Sequence, residues 1–269
     1  SKLADIILHR HAESTGEQVD EALHSAAFGD SYSLGKPLTI PPKLSVEGLK
    51  DFREARYKAS GMTVVGVNVP HDELKGHAEA ALAAVDPSSP APRSPSMYLG
   101  GELRVKNEIG STSVSMAFAG AAGSDSSAAA FEVLGALLDA RATVAAPSAT
   151  GFNVAYTDAG LVGVTGTCAN GDAEALTVAL ASCFKGLAQG PSDAEIETAI
   201  ASAKISRALR MEKPLYAMLT LAESAAIGAD PSAADSALEG VTVGAVKAAA
   251  AAAAKSELSV AAVGNISEV

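Results

Sequence analysis

His9 and His11, with Glu13 two residues on, are the tempting candidate for a metal site in the sequence. A helix advances about 100° per residue, so side chains at i and i+2 point about 200° apart and two imidazoles at that spacing do not converge on one ion. His24, His71 and His77 stand singly and read as surface or capping residues. Zinc peptidases of the inverted type need two imidazoles on one helical face, a general-base glutamate between them and a further oxygen ligand. No HxxEH occurs in the sequence, nor does a G-x-G-x-x-G phosphate loop or a Ser/His/Asp arrangement. Gly100-Gly101, just before an expected strand, reads as a turn. Cys168, on an expected strand, and Cys183, on an expected helix, are too few for a disulfide framework and read as buried free thiols. The residues therefore offer no catalytic, no cofactor-binding and no metal site.

The elements that position these residues centre on Gly151–Thr167, GFNVAYTDAGLVGVTGT. Phe152, Val154 and Tyr156 alternate with small or polar residues, Thr157-Asp158-Ala159-Gly160 reads as a turn, and Leu161, Val162 and Val164 form a second strand. Helices are expected at Val19–Phe28, from Ser45 as N-cap to Tyr57, and at Asp72–Val85, Ser124–Asp139 and Asp172–Leu187. Ser192 and Glu195 form a capping box for a helix running to about Met211, with another following Pro214 and a last one at Thr242–Lys255. Strands are expected at Met62–Val69, Gly101–Lys106, Thr112–Ala119 and Leu258–Val263. Asp86–Met97, DPSSPAPRSPSM, has the composition of a linker. Strands interleaved with punctuated helices indicate an α+β fold.

The net charge of −11 argues against nucleic acid as a partner, because phosphate binding needs clustered Lys and Arg. No run of about 18 apolar residues is present. Ala248–Ala254 is a helix former rather than a membrane anchor, and the opening SKLADIILHRHAEST resembles neither a signal nor a transit peptide.

The two ends of the chain answer each other. ALHSAAFG at 22–29 matches LAESAAIG at 221–228, Ser45–Lys50 matches Thr242–Lys247, and MTVVGVN at 62–68 matches LSVAAVG at 258–264. Three blocks in register at an offset of roughly 200 residues indicate duplicated domains. The later copy is whole, whereas the earlier one enters at its midpoint. The expected organisation is half of a first domain at 1–85, a linker at 86–97 and a complete second domain at 98–269. An open half-sheet is a liability, so the other half is expected elsewhere, for instance in a separate chain.

The order LHSAAFG, LGKPL, KLSVEGLKDF, GMTVVGVNVPHDEL, GGELRVKN, GFNVAYTDAGLVGVTGT, AIGADPSAADSALEGVT, LSVAAVGNI resembles the mitochondrial processing peptidase (pitrilysin-type) family. Within that family the likeness is to the core proteins of ubiquinol–cytochrome c reductase, respiratory complex III. The resemblance implies duplicated α+β domains, each a mixed, mostly antiparallel sheet covered by helices on one face. It places Arg10 where active members carry a distal carboxylate ligand, which a cation cannot replace. It implies a non-catalytic scaffold, peripheral on the matrix side of the mitochondrial inner membrane. The implied partners are a paralogous first core protein and the cytochrome b, cytochrome c-type and Rieske iron–sulfur subunits, which would hold the haem and the iron–sulfur cluster. The rival is the substrate-recognising alpha-type subunit of the processing peptidase, which has a long glycine-rich loop. Asp139–Gly151, DARATVAAPSATG, has one glycine, at its end.

Overall fold

The alternation around Asp158 folds as a hairpin in the computed structural model, which describes residues 11–39, 45–108, 110–226 and 233–266. β3 (Ala149–Ala155) and β4 (Gly160–Ala169) pair antiparallel, with Ala155 opposite Gly160. The Tyr156 N–H donates to the Ala159 carbonyl at 2.8 Å and closes the turn. β4 pairs antiparallel with β2 (Ser111–Gly120), and β2 pairs antiparallel with β5 (Ser259–Gly264). β5 runs parallel to β1 (Gly101–Lys106), so the sheet is mixed and mostly antiparallel, in the order β1-β5-β2-β4-β3.

Period-2 alternation gives this sheet two different faces. Val114, Met116, Val162, Val164 and Ala262 point to one and are buried against α4 (Ala128–Ala145), α5 (Ala173–Ser182) and α9 (Val243–Ala253). Ala117, Leu161, Ala261 and Val263 point to the other, which is covered by α1 (Thr15–Phe28) through Val19, Leu23, Ala27 and Phe28. The expected α+β architecture is present, with three helices on one face and α1 added on the opposite one. α1 starts where the Ser14 hydroxyl accepts the Glu17 N–H at 3.2 Å, and it stops at Gly29, whose φ of 67° glycine adopts freely. Phe28 packs edge-on against Tyr98, with ring centroids 6.0 Å apart.

Two compact units emerge. The described parts of 1–41, 94–203 and 240–269 form the first, which holds the sheet. The described parts of 42–93 and 204–239 form the second, with α2 (Val46–Arg56), α3 (His71–Leu82), α7 (Pro214–Ala226) and α8 (Ala233–Glu239). α6 (Asp193–Met211) begins in the first unit and ends in the second. The division at 93 and 94 falls inside the Pro/Ser stretch, which carries neither helix nor strand. Two groupings differ from a split into 1–85 and 98–269: α1 lies with the sheet, and 204–239 lies with 42–93.

The second unit is held by surface pairs more than by a core. Lys58 Nζ is 2.6 Å from Asp86 Oδ2, and with the Ser88 amide it holds that carboxyl at about 2. Arg207 meets Asp235 at 2.5 Å and Lys204 meets Glu239 at 2.7 Å. α2 and α3 bury no residue. Leu49 and Phe52 of α2 are exposed, although Val246 and Ala249, at the matching positions of the repeat in α9, are buried.

Several expected boundaries move. Met62–Val69 is not a strand: it has no ladder partner among the described residues, and Asn68 has a φ of 63°. A strand is defined by its neighbours. The repeat counterpart β5 has two, on β1 and β2. α4 runs on to Ala145, so the first half of the expected loop at 139–151 is helical. α5 ends at Ser182, and the chain continues in turns through Gly186, whose φ is 75°. Ser192 caps α6 by accepting the Glu195 N–H at 3.3 Å, but the Glu195 carboxylate turns to Arg141 instead of completing a capping box.

Candidate functional site

His11 precedes α1 and is 6% exposed. Its Nδ1 lies 3.7 Å from Glu17 Oε2 and its Nε2 lies 3.4 Å from Glu21 Oε2. The two carboxylates lie nearest different ring nitrogens. No single point lies at the coordination distance of about 2 Å from all three groups. Among the described residues, no group of three or more His, Cys, Asp or Glu side chains is placed to hold a metal ion. The residues that are described therefore do not fit the zinc of an active peptidase; His9 and Arg10 lie outside the described residues.

His24 is not the isolated surface residue its sequence position suggests. Its Nδ1 lies 2.7 Å from the Asp20 carbonyl, to which it donates as the Nδ1–H tautomer, and its Nε2 accepts the Tyr156 hydroxyl at 2.5 Å. Burial raises the Tyr156 pKa, and the Asp20 carboxylate raises it further. Burial also raises that of Asp20, opposed by His24. A tyrosine held in its neutral form is a hydrogen-bond donor and not a base. The trio ties α1 to the hairpin. Replacing Tyr156 by Phe is expected to cost about 1 kcal/mol, as is His24→Ala. A double variant no worse than either single one, measured by urea unfolding, would establish the tie; additive losses would break it.

His71 opens α3 and is exposed; His77 is exposed too, 3.9 Å from Glu73 on the next turn back. Cys183 is buried as expected, whereas Cys168 is only half-buried, near the end of β4 where cover thins. Burial raises both thiol pKa values, assisted at Cys168 by Asp172 and opposed at Cys183 by Arg141. A thiol kept protonated is a poor nucleophile. Gly100 directly precedes β1 and Gly101 is its first residue, both with positive φ, and neither lies in a turn.

One polar centre escaped the sequence reading. Arg141 of α4 makes a two-pronged bond to Glu195, Nε to Oε1 at 2.6 Å and Nη2 to Oε2 at 3.1 Å. Its Nη1 donates to the carbonyls of Cys183 at 2.7 Å and Lys185 at 3.2 Å. One guanidinium thus joins α4, the turn after α5 and α6 beside an open depression lined by Val144, Ser182 and Lys185. The only signal in the sequence is an arginine beside the apolar stripe of α4, which does not name its partners. Hydrogen bonds from Arg141 hold the Glu195 carboxyl below its ordinary value of 4.5. A carboxyl depressed on folding adds stability above its unfolded pKa and loses it as pH falls through the folded one. Glu195→Gln should therefore be less stable than the parent at neutral pH, with the gap closing as pH drops below about 4.5. Thermal melts across pH 3–7 would check this, and a pH-independent gap would refute it.

Residues 43–203 match the family described as the Peptidase M16 inactive domain. The mitochondrial-processing peptidase subunit alpha-2 of Dictyostelium discoideum is 31% identical over 169 residues, which cover 54% of this chain and 38% of that protein. The chain thus matches well under half the length of that curated relative. A chain of complex III2 from Candida albicans, with Inz-5 bound, has the same fold: its TM-score is 0.74 at 17% identity, over 98% of this chain and 74% of that one. The chain belongs to the peptidase M16 family, which it matches through the domain described as inactive.

Proposed function

We propose that the chain is a non-catalytic core subunit of mitochondrial ubiquinol–cytochrome c reductase, of the second-core-protein type, peripheral on the matrix side of the inner membrane. The observation that carries this reading is a fold shared over 98% of the chain with a chain of complex III2. The match of residues 43–203 to a domain described as inactive supports the non-catalytic part. The role is assembly: paired domains support electron-transfer subunits. The partners are a paralogous first core protein and the cytochrome b, cytochrome c-type and Rieske subunits, which carry the haem and the iron–sulfur cluster. No helix of the described residues is long and apolar enough to cross a membrane, so attachment runs through those partners. The exposed α2 face and the unpaired segment 62–69 support a separate chain, or a further segment, that completes the first half-domain.

The 31% identity to a processing-peptidase alpha subunit supports a second reading, a subunit that recognises presequences without cleaving them. A mild-detergent native gel of source membranes, probed for this chain and for haem absorbance, separates the two. Migration with b- and c-type haem is the expected result. A haem-free heterodimer that binds basic amphipathic peptides would transfer the assignment to the processing peptidase, and peptide cleavage lost on chelation would refute both.

A further inference from the structure

α2 and the segment after it keep the form of their repeat counterparts but lack the partners. α2 and α9 are both 11 residues long and are capped alike. The Ser45 hydroxyl accepts the Gly48 N–H at 3.0 Å, and the Thr242 hydroxyl accepts the Ala245 N–H at 3.2 Å. Residues 63–68 fall on β5, and a positive φ recurs where each stretch ends, 63° at Asn68 and 135° at Gly264. β5 is paired on both sides, parallel with β1 and antiparallel with β2. Residues 63–68 pair with no strand among the described residues, and no residue from 45 to 93 is buried. Isolated helices shorter than about 12–15 residues are marginal in water, so α2 needs a packed face. Yet Val46, Leu49 and Phe52 are 72%, 51% and 58% exposed. We propose that residues 46–68 are the docking surface for a second polypeptide, which places one strand on each side of 63–68 and lays the completed sheet under α2.

This inference rests on the reading that the chain works in an assembly, and the repeat gives the partner its form. One partner strand runs parallel to 63–68, as β1 does to β5, and the other runs antiparallel, as β2 does. Val260 and Ala262 of β5 pack on the side of α9, and Ala261 and Val263 on the opposite side. The matching residues are Val64 and Gly66, then Val65 and Val67, so no polar side chain obstructs either face. Charge adds a further requirement. Arg53 stands where α9 buries Ala250, and its side chain has no hydrogen bond or ion pair among the described residues. A guanidinium pressed on a sheet needs an anion beside it. The partner sheet therefore carries a carboxylate on the face that α2 covers. The sheet around Ala250 is apolar, which makes a second copy of this chain the wrong partner.

Hydrogen exchange on the assembly extracted in mild detergent tests the surface. The N–H groups of a strand point alternately to its two neighbours. Pairing on both sides should slow every amide of 63–68 several-fold relative to the full chain alone. Slowing of alternate amides, the pattern of an edge strand, overturns the proposal, as does no slowing at all. Val65 donates no backbone hydrogen bond among the described residues. Val65→Pro should therefore leave the melting of the chain alone unchanged and cut its recovery in the assembly several-fold, because proline cannot donate to a flanking strand. Recovery at the parent level overturns the proposal. Phe52→benzoylphenylalanine, irradiated in the assembly, should link the chain to a polypeptide of different sequence. A link within the chain, to a second copy or to lipid alone overturns it. Slowed amides in an assembly without haem would leave this surface standing and remove the core-subunit reading; haem with amides at their free rate would do the reverse.

Discussion

Replacing Gly160 by valine should cost the fold about 3 kcal/mol or more, the upper range for overpacking a rigid site. Gly160 opens β4 directly after the hairpin turn. A Cβ there would lie 2.2 Å from the Ala121 carbonyl oxygen and 3.0 Å from both the Ala121 carbon and the Val154 oxygen. All three are backbone atoms, two of them in Ala121 just past β2 and one in β3, so relief requires moving the backbone at the end of β2 or in β3 rather than turning a side chain. Gly163 is confined in the same way, 2.1 Å from the Met116 oxygen. Gly160→Val should therefore lower the melting temperature and speed hydrogen exchange at the β3 and β4 amides, with Gly160→Ala in between. Asp158, whose Oδ2 accepts the Ser96 N–H at 2.6 Å, anchors the same turn from outside. Its loss should cost only about 1 kcal/mol, because the bond is exposed to water. If Gly160→Val melted within a degree of the parent, the close approach of Ala121 would be wrong.

The hairpin was legible because its signals are local: alternation on both sides and Asp and Gly at the turn lie within one short stretch. Helix α1 was legible as a helix for the same reason, through Val19, Leu23 and Ala27, but nothing in that stripe says which sheet it covers. The repeat tied it to the earlier half-domain, and the structure lays it on the later sheet. Met62–Val69 shows the opposite limit. Its sequence has the alternation of a strand, yet strand formation depends on neighbours that the sequence of the segment cannot supply.

That the sequence holds no HxxEH is equally a local reading. His11 meets Glu17 and Glu21 within a few residues of chain. The wiring of His24 to Tyr156 joins groups 132 residues apart, and that of Arg141 to Glu195 joins groups 54 apart. Burial, not spacing, brings them together. Sequence patterning identifies groups that chemistry could use; only packing identifies which of them face one another.

That distinction makes α4 the sharpest place to weigh the core, and Leu134→Ala is expected to cost about 3–5 kcal/mol. Leu134 is 0% exposed and belongs to the cluster with Val162, Val164, Leu138 and Leu180. α4 packs against β3 on one side and α9 on the other. Neighbours fixed by a sheet and a second helix relax little into the space a leucine leaves, so the cavity cost adds to the lost transfer energy. For a chain of this size each kcal/mol is worth about 2–4 °C, so the melting temperature should fall by about 10 °C. Val144, on the same helix but 89% exposed, is the control: Val144→Ala should stay within about 0.5 kcal/mol. Equal melting of the two variants would mean that the α4 face is not the one pressed on the sheet. A large loss confined to Leu134→Ala would place the stability of this chain in the seam between α4 and β3–β4, where a small-residue sheet lets the helix come close.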